Sequence, residues 1–257
     1  MVPKPVQNEE LQDEAQRILP IYLAVDRSWS MKDDGKIDAA NELVPSIVDA
    51  CLDNPVAEER SRFCLIAFND EAEVIAPLSK GSDLPEDVAL VPSSGTSYTN
   101  VFRLLRERIE ADYQMLKADG AKVYRPAVFM ITDGEPICND SDRKKAFDEL
   151  TAPEFAAFPL ISLFGVGTKV SKETLTKYVW RNPETCSDDD KVTGEVILSR
   201  KGVSPGDALA GFISDLMLSM VATLKDASSA AVPDEEDSFA EIKPIDPSVF
   251  VDYDLAT

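Results

Sequence analysis

Residues 21–31 read IYLAVDRSWSM, an apolar run that ends abruptly in polar side chains. Five strand-forming residues come first, and Asp26, Ser28 and Ser30 follow at alternate positions. Alternate residues of an extended segment face the same side, so these three oxygen-bearing side chains are expected to meet at one point. A carboxylate beside two hydroxyls suits a hard cation such as Mg²⁺. The stretch therefore predicts a buried strand that carries cation ligands at its end.

Apolar strand patterns alternate with amphipathic helical patterns along most of the chain. Strand patterns occupy residues 21–25, 63–68, 72–78, 127–131, 160–167 and 196–199, and helical patterns occupy 36–52, 102–116, 141–150, 171–179 and 204–224. Ser141 and Ser171 are expected to cap two of these helices, and Pro45 is expected to bend the first one. The alternation predicts an α/β fold, a doubly wound, mostly parallel sheet with one antiparallel edge strand and helices on both faces.

Changes in composition divide the chain into three parts. We predict an N-terminal arm at 1–19, one large domain at 20–225 and an acidic tail at 226–257. Residues 232–257 hold eight acidic side chains and one lysine. Such a composition is typical of a segment that is disordered when alone.

The charge balance restricts the partners of the protein. The chain has 26 Lys and Arg against 47 Asp and Glu, a formal net charge of -21, which repels nucleic acid and anionic lipid. No apolar stretch approaches the ~20 residues that span a bilayer, and the first residues lack the apolar core of a signal peptide. We therefore expect a cytoplasmic protein that binds neither nucleic acid nor membrane.

The residue types that are missing exclude several kinds of chemistry. The chain has no histidine, so Ser-His and Cys-His nucleophiles and the usual transition-metal ligand are absent. Its four cysteines, Cys51, Cys64, Cys138 and Cys186, show no CxxC spacing. Two of them lie in apolar periodic segments, where a reduced core thiol is expected. Sites built from carboxylates and hydroxyls survive these exclusions.

A second aspartate follows the strand pattern at 127–131, in the sequence Thr132-Asp133-Gly134. Asp26 and Asp133 thus both lie at the carboxyl ends of predicted parallel strands. Ligand sites of doubly wound sheets gather at such ends. The two carboxylates become neighbours if their strands are adjacent in the sheet.

Three motifs together resemble the metal-ion-dependent adhesion site (MIDAS) of the von Willebrand factor A (VWA) domains. They are Asp26-x-Ser28-x-Ser30, then Gly95-Thr96 ahead of a helix, and Thr132-Asp133-Gly134 after a strand. The resemblance covers about residues 20–225. It implies a site for Mg²⁺, with Mn²⁺ or Ca²⁺ as alternatives, whose ligands are Asp26, Ser28, Ser30, Thr96 and Asp133. Thr99 is a competing candidate for the threonine ligand.

The resemblance also implies a function. An Asp or Glu of a partner protein would complete the coordination of the metal, with Trp29, Tyr98 and Glu135 on the partner-binding rim. Trp29 departs from the family pattern, which commonly has a small residue there, and it is expected either to fold onto the sheet edge or to stand exposed as an anchor. Residues 125–136 are most similar to the tellurite-resistance-type bacterial members, which implies a cytoplasmic stress-response or AAA+ ATPase-linked complex.

Two other hypotheses compete with a non-enzymatic interaction module. The first is a metal-dependent phosphohydrolase that uses Asp26 and Asp133. Against it, the chain has no Asp-x-Asp after the first strand, no histidine and no recognisable phosphate-binding lysine motif. The second is self-docking, in which Asp252 or Asp254 of the acidic tail takes the open position on the metal.

Overall fold

The computed structural model describes residues 17–85, 87–179, 194–199, 202–229 and 253–255. The strands of its sheet are β1 (Arg17–Asp26), β2 (Ser61–Phe68), β3 (Ala72–Ser79), β4 (Lys122–Val123), β5 (Ala127–Thr132), β6 (Leu160–Gly165), β7 (Val196–Ser199) and β8 (Tyr253–Leu255). The helices are α1 (Lys36–Asn41), α2 (Leu43–Leu52), α3 (Pro55–Arg60), α4 (Tyr98–Ala118), α5 (Asp140–Leu150), α6 (Lys172–Thr176) and α7 (Pro205–Ser229).

The sheet has the strand order β3-β2-β1-β5-β6-β7-β8, and β4 pairs with the start of β1. Strands β2, β1, β5, β6 and β7 are parallel to one another, and β3 is the expected antiparallel edge strand beside β2. Strand β8 adds a second antiparallel pair, with β7, that the acidic composition of its segment did not predict. The predicted doubly wound, mostly parallel α/β fold is confirmed.

Strand β1 lies in the middle of the sheet and supplies both hydrophobic cores. Ile21, Leu23 and Val25 pack with residues of α1, α2 and α7, whereas Tyr22 and Ala24 pack with residues of α4, α5 and α6. Side chains alternate between the two faces of a strand, and a strand covered on both faces is apolar at nearly every position. This is why the apolar run that begins at Ile21 is continuous.

Two helix boundaries differ from the sequence-based expectation. The helix expected over 36–52 is broken at Glu42, and Pro45 lies in the first turn of α2, where a missing N–H removes no helical hydrogen bond. Helix α5 is capped by Asn139, which accepts hydrogen bonds from Ser141 N (2.9 Å) and Asp142 N, so the prediction of Ser141 as the cap was wrong. The cap at Ser171 is confirmed by the bond that it accepts from Thr174 N.

The ends of the main domain extend into the segments assigned to the arm and the tail. Strand β1 begins at Arg17, and α7 continues to Ser229. Residues 1–16, most of the proposed tail and Cys186 lie outside the described residues. Cys51 and Cys64 are buried free thiols, as predicted. No helix in the described ranges has the length and apolar character that a bilayer crossing requires.

Candidate metal centre

The strand order brings the two predicted aspartates together. Strands β1 and β5 are parallel neighbours, with Val25 in register with Ile131, so the polar residues that follow them leave the same edge of the sheet. The loop before α4 lies between these two strand ends. It is held by backbone bonds from Trp29 N to Ser94 O (3.1 Å) and from Ile137 N to Thr96 O (3.0 Å).

Four of the predicted ligands form one cluster of oxygen atoms. Ser28 Oγ and Ser30 Oγ lie 3.1 Å apart, and Ser30 Oγ donates a hydrogen bond to Asp133 Oδ1 at 2.6 Å. A Cβ atom placed on Gly134 would lie 3.5 Å from Thr96 Oγ1 and 3.9 Å from Ser30 Oγ. The hydroxyl of Thr96 therefore faces the same point as that of Ser30, and Gly134 leaves room between them.

Asp26 lies beneath this cluster and shapes the loop above it. Its Oδ1 accepts from Ser28 N (2.7 Å) and its Oδ2 from Thr132 Oγ1 (2.6 Å), and it is completely buried. Burial raises the pKa of Asp26 to about 6, the charge of Asp133 adds to this, and the hydrogen bonds from Thr132 and Ser28 oppose it. Asp26 thus fixes the turn that presents Ser28 and Ser30.

Lys36 belongs to the site and was missed in the sequence. This first residue of α1 is 4% exposed, and its Nζ forms a salt bridge with Asp133 Oδ2. The only signal available was its place at the start of the helix that follows the Asp26 to Ser30 motif. That position does not distinguish a buried lysine from the solvated lysines common in first turns.

Thr96 and Thr99 occupy different surroundings. Thr96 faces Gly134 and the serine hydroxyls, whereas Thr99, inside α4, is buried beside Cys138. Of the two, Thr96 lies at the oxygen cluster.

The rim of the site differs from the prediction at Tyr98. Its side chain is fully buried, and its hydroxyl donates to Gly134 O at 2.9 Å, so Tyr98 supports the site from below and does not line the rim. A tyrosine at the start of an apolar helical face packs inward for the same reason as its apolar neighbours, and here its hydroxyl finds a backbone acceptor.

Trp29 and Glu135 are exposed at the rim. Trp29 is 61% exposed, in a 3₁₀ turn at Trp29–Lys32, and the Lys32 ammonium lies 5.8 Å from its ring centroid. Of its two expected orientations, the structure has the exposed one. Glu135 accepts from Ser171 N at 2.8 Å; burial raises its pKa, but hydrogen bonds from Thr174 and Ser171 outweigh that and lower it.

Ile137 is a further rim residue that sequence reasoning missed. Its side chain is 71% exposed although its backbone N–H is bonded to Thr96 O. An isolated isoleucine in a polar loop carries no sequence signal of this position.

The donor set fits a hard divalent cation. Two carboxylates and three hydroxyls offer only oxygen, and neighbouring ligands of Mg²⁺, each at about 2.0–2.1 Å from the ion, are about 2.9 Å apart. The observed separations of 3.1 Å and 2.6 Å lie on either side of that value. The described residues include no group of three or more His, Cys, Asp or Glu that could hold a metal ion, so the cluster depends on its hydroxyls.

Comparisons with solved structures agree on the fold. A von Willebrand factor type A protein from Catenulispora acidiphila is 18% identical with a TM-score of 0.57, and the alignment covers 80% of this chain and 43% of that one. Proximal thread matrix protein 1 from the mussel byssus, solved with a zinc-occupied MIDAS motif, is 16% identical with a TM-score of 0.53, covering 80% and 48%. The pilus adhesin SpaC from Lactobacillus rhamnosus GG, in its open conformation, is 14% identical with a TM-score of 0.54, covering 81% and 30%.

This chain therefore spans less than half the length of each of these proteins. Comparison with curated protein sequences gave no match. The family model of the von Willebrand factor type A domain matches residues 21–186, which is well over half of the chain and includes residues 21–26 of β1, the loop before α4 and all of β5. The chain belongs to the von Willebrand factor type A domain family.

Proposed function

We propose that this protein is a metal-dependent protein–protein interaction module. Its site would hold Mg²⁺, or Mn²⁺ or Ca²⁺, through the hydroxyls of Ser28, Ser30 and Thr96, with Asp26 and Asp133 binding directly or through water. When bound, the cation supplies a coordination position for an Asp or Glu carboxylate of a partner. The observation that carries the proposal is the convergence of Ser30 on Asp133, 2.6 Å apart, with the Thr96 hydroxyl facing the same point.

The negative charge of the chain gives a physical reason for a cation at such a site. The chain has a net charge of -21 and would repel an acidic partner. The three hydroxyl ligands are neutral, and Lys36 offsets the charge of one of the two carboxylates, so a divalent cation would leave the site with a net positive charge. A cation held there would attract a carboxylate that the rest of the surface repels.

Two exposed apolar side chains support a protein as the ligand. Trp29 and Ile137 flank the loop that carries Thr96, and each is bonded to that loop through its backbone N–H. Exposed large aromatic side chains are typical anchors of protein interfaces. A carboxylate on the partner with apolar residues beside it would match this arrangement.

The cellular setting of the proposal comes from sequence resemblance. Residues 125–136 resemble the tellurite-resistance-type members of the family, which favours a cytoplasmic stress-response or AAA+ ATPase-linked complex. The rival phosphohydrolase gains no support from the site, because Lys36, its buried lysine, is already paired with Asp133.

The decisive experiment measures metal and partner binding on the same variants. Mg²⁺ and Mn²⁺ titrations by calorimetry should detect one site in the full chain and binding weaker by about tenfold or more in Ser30→Ala, whereas Ser141→Ala, an exposed serine in α5, should bind like the unaltered protein. Proteins captured with Mg²⁺ and lost with EDTA should also be lost with Ser30→Ala. Equal metal binding by the two variants would contradict the proposal, and metal-dependent hydrolysis of p-nitrophenyl phosphate would favour the phosphohydrolase.

A further inference from the structure

Lys36 is placed in the site by a rigid turn. The preceding residues Asp34 and Gly35 are both left-handed, with φ of 58° and 70°, and α1 starts immediately after them. Gly206, in the first turn of α7, donates its N–H to Asp34 O at 3.1 Å and packs against this turn so closely that a Cβ there would lie 2.8 Å from the same oxygen. The position of Lys36 is therefore set by backbone packing between two helices.

The burial of Lys36 is notable because lysine is rarely buried without a partner. Its partner is Asp133, which is 1% exposed and whose other oxygen accepts from Ser30. Asp26, the second carboxylate of the site, accepts hydrogen bonds from neutral donors, Ser28 N and Thr132 Oγ1. Lys36 thus compensates one of the two negative charges of the site from within the protein.

We propose that Lys36 is an internal counter-cation that holds Asp133 in place without metal and competes with the divalent cation for it. This inference rests on the proposed metal site. An ammonium and a divalent cation near the same carboxylate repel each other, and the repulsion is strong where water is excluded. Lys36 therefore weakens metal binding while keeping Asp133 oriented in the metal-free protein.

This arrangement has two measurable consequences. Removing the charge of Lys36 should tighten metal binding, because Asp133 then has no competing cation. The same change should lower the stability of the metal-free protein, because Asp133 is left buried without its counter-charge. A residue that only supports the structure would weaken metal binding when altered, so tighter binding is specific to the competing role.

The test compares Lys36→Met with Lys32→Met in the full chain. Both changes remove one lysine charge from the same short segment, but Lys32 is exposed and lies over the Trp29 ring. We expect calorimetric Mn²⁺ affinity to rise by about tenfold or more in Lys36→Met and by less in Lys32→Met, since Coulomb interaction falls with distance and solvent exposure. In EDTA, Lys36→Met should melt at a lower temperature than the unaltered protein. Lys36→Gln, which keeps a hydrogen-bond donor, replaces Lys36→Met if that variant does not fold.

The outcomes separate this inference from the proposed function. The role of Lys36 is overturned if the metal affinity of Lys36→Met is unchanged, weaker, or raised only as much as that of Lys32→Met. Such a result would not contradict metal binding by the unaltered protein. If the unaltered protein binds no metal, the proposed function fails as stated. In that case a gain of binding in Lys36→Met supports the competing role, and no gain overturns it. Adding Ser30→Ala to Lys36→Met should abolish the gained binding if it occurs at this site.

Discussion

Ser30 Oγ donates a 2.6 Å hydrogen bond to Asp133 Oδ1, joining residues 103 positions apart in the chain. The bond links the loop after β1 to the loop after β5 and sets the spacing between two proposed metal ligands. Ser30→Ala should reduce metal affinity by about tenfold or more, because the change removes a ligand and frees Asp133 to move. It should cost only about 1 kcal/mol of stability, as expected for one partly buried hydrogen bond. Calorimetry and urea denaturation measure the two effects, and a large loss of stability with normal affinity would contradict this role.

Tyr98 should contribute to the site through its hydroxyl alone. Tyr98→Phe keeps the ring contacts with Phe68 and Phe102 and removes the shorter of the two hydrogen bonds to Gly134 O. The other donor, Thr132 Oγ1, lies 3.3 Å away and also donates to Asp26 at 2.6 Å. We expect a loss of about 1–3 kcal/mol in urea denaturation, as for a buried unpaired acceptor, together with weaker metal binding. Tyr22→Phe is the control, since the Tyr22 hydroxyl bonds Asp112, and it should reduce stability without changing metal affinity. Equal metal affinities of the two variants would count against the supporting role of Tyr98.

Gly206 and Gly134 should respond differently to alanine. A Cβ on Gly206 would lie 2.8 Å from Asp34 O and 2.9 Å from Gly35 O. Both are backbone atoms, which cannot move away without a cost in free energy. A Cβ on Gly134 meets Thr96 Oγ1 at 3.5 Å, an ordinary contact. Gly206→Ala should therefore destabilise the protein by about 1–3 kcal/mol, and Gly134→Ala by less. Thermal unfolding distinguishes them, and the reverse order would refute this account of the helix contact.

Asp112 should make stability depend on pH. Burial raises the pKa of Asp112, while Arg108 and the hydrogen bond from Tyr22 lower it, and the net direction is upward. Its contribution to stability is therefore fully present below the ordinary aspartate pKa of about 3.9 and is lost as pH rises through the folded-state value. Asp112→Asn cannot ionise, so its stability relative to the unaltered protein should increase from pH 4 to pH 7. Urea denaturation across this range tests it, with exposed Asp119→Asn as the control, and a constant difference between Asp112→Asn and the unaltered protein would disprove it.

Trp29 should matter for partner binding and little for folding. Its ring is 61% exposed, so Trp29→Ala should change stability by less than about 0.5 kcal/mol. Affinity for a captured partner should fall about tenfold or more if the ring is an interface anchor. Leu218→Ala, a similarly exposed apolar residue on α7, provides the comparison and should leave partner affinity unchanged. Equal effects of the two changes would argue against Trp29 as an anchor.

Most of the fold was predictable because the strands are covered on both faces. Such strands are continuous apolar runs, and their parallel order follows from the helices between them. The convergence of Ser30 and Asp133 was predictable for the same reason, because both residues follow strands that end at one sheet edge. The break in the helix at Glu42 was harder to predict from the sequence. Pro45 is compatible either with a bent helix or with the first turn of a new one, and tertiary packing decides between them.

Lys36 and Tyr98 show where prediction from the sequence stops. A lysine in a first turn is usually solvated, and its burial here depends on a left-handed turn packed against a helix far away in the chain. Tyr98 has one end suited to a wet rim and one suited to a core, and its burial depends on the packing of its ring against Phe68 and on the acceptor at Gly134 O. Both residues depend on contacts between distant segments, which local patterns do not encode.

The contact between Gly206 and the Asp34 turn also determines when this part of the site can form during synthesis of the chain. Asp34 and Gly35 are synthesised early, but the N–H that bonds Asp34 O belongs to Gly206 in α7, a helix that is synthesised much later. A nascent chain can pair β1 with β2 and β5 while the turn before Lys36 still lacks its support. The backbone support of the turn before Lys36 is therefore complete only after Gly206 has been synthesised, 172 positions after Asp34.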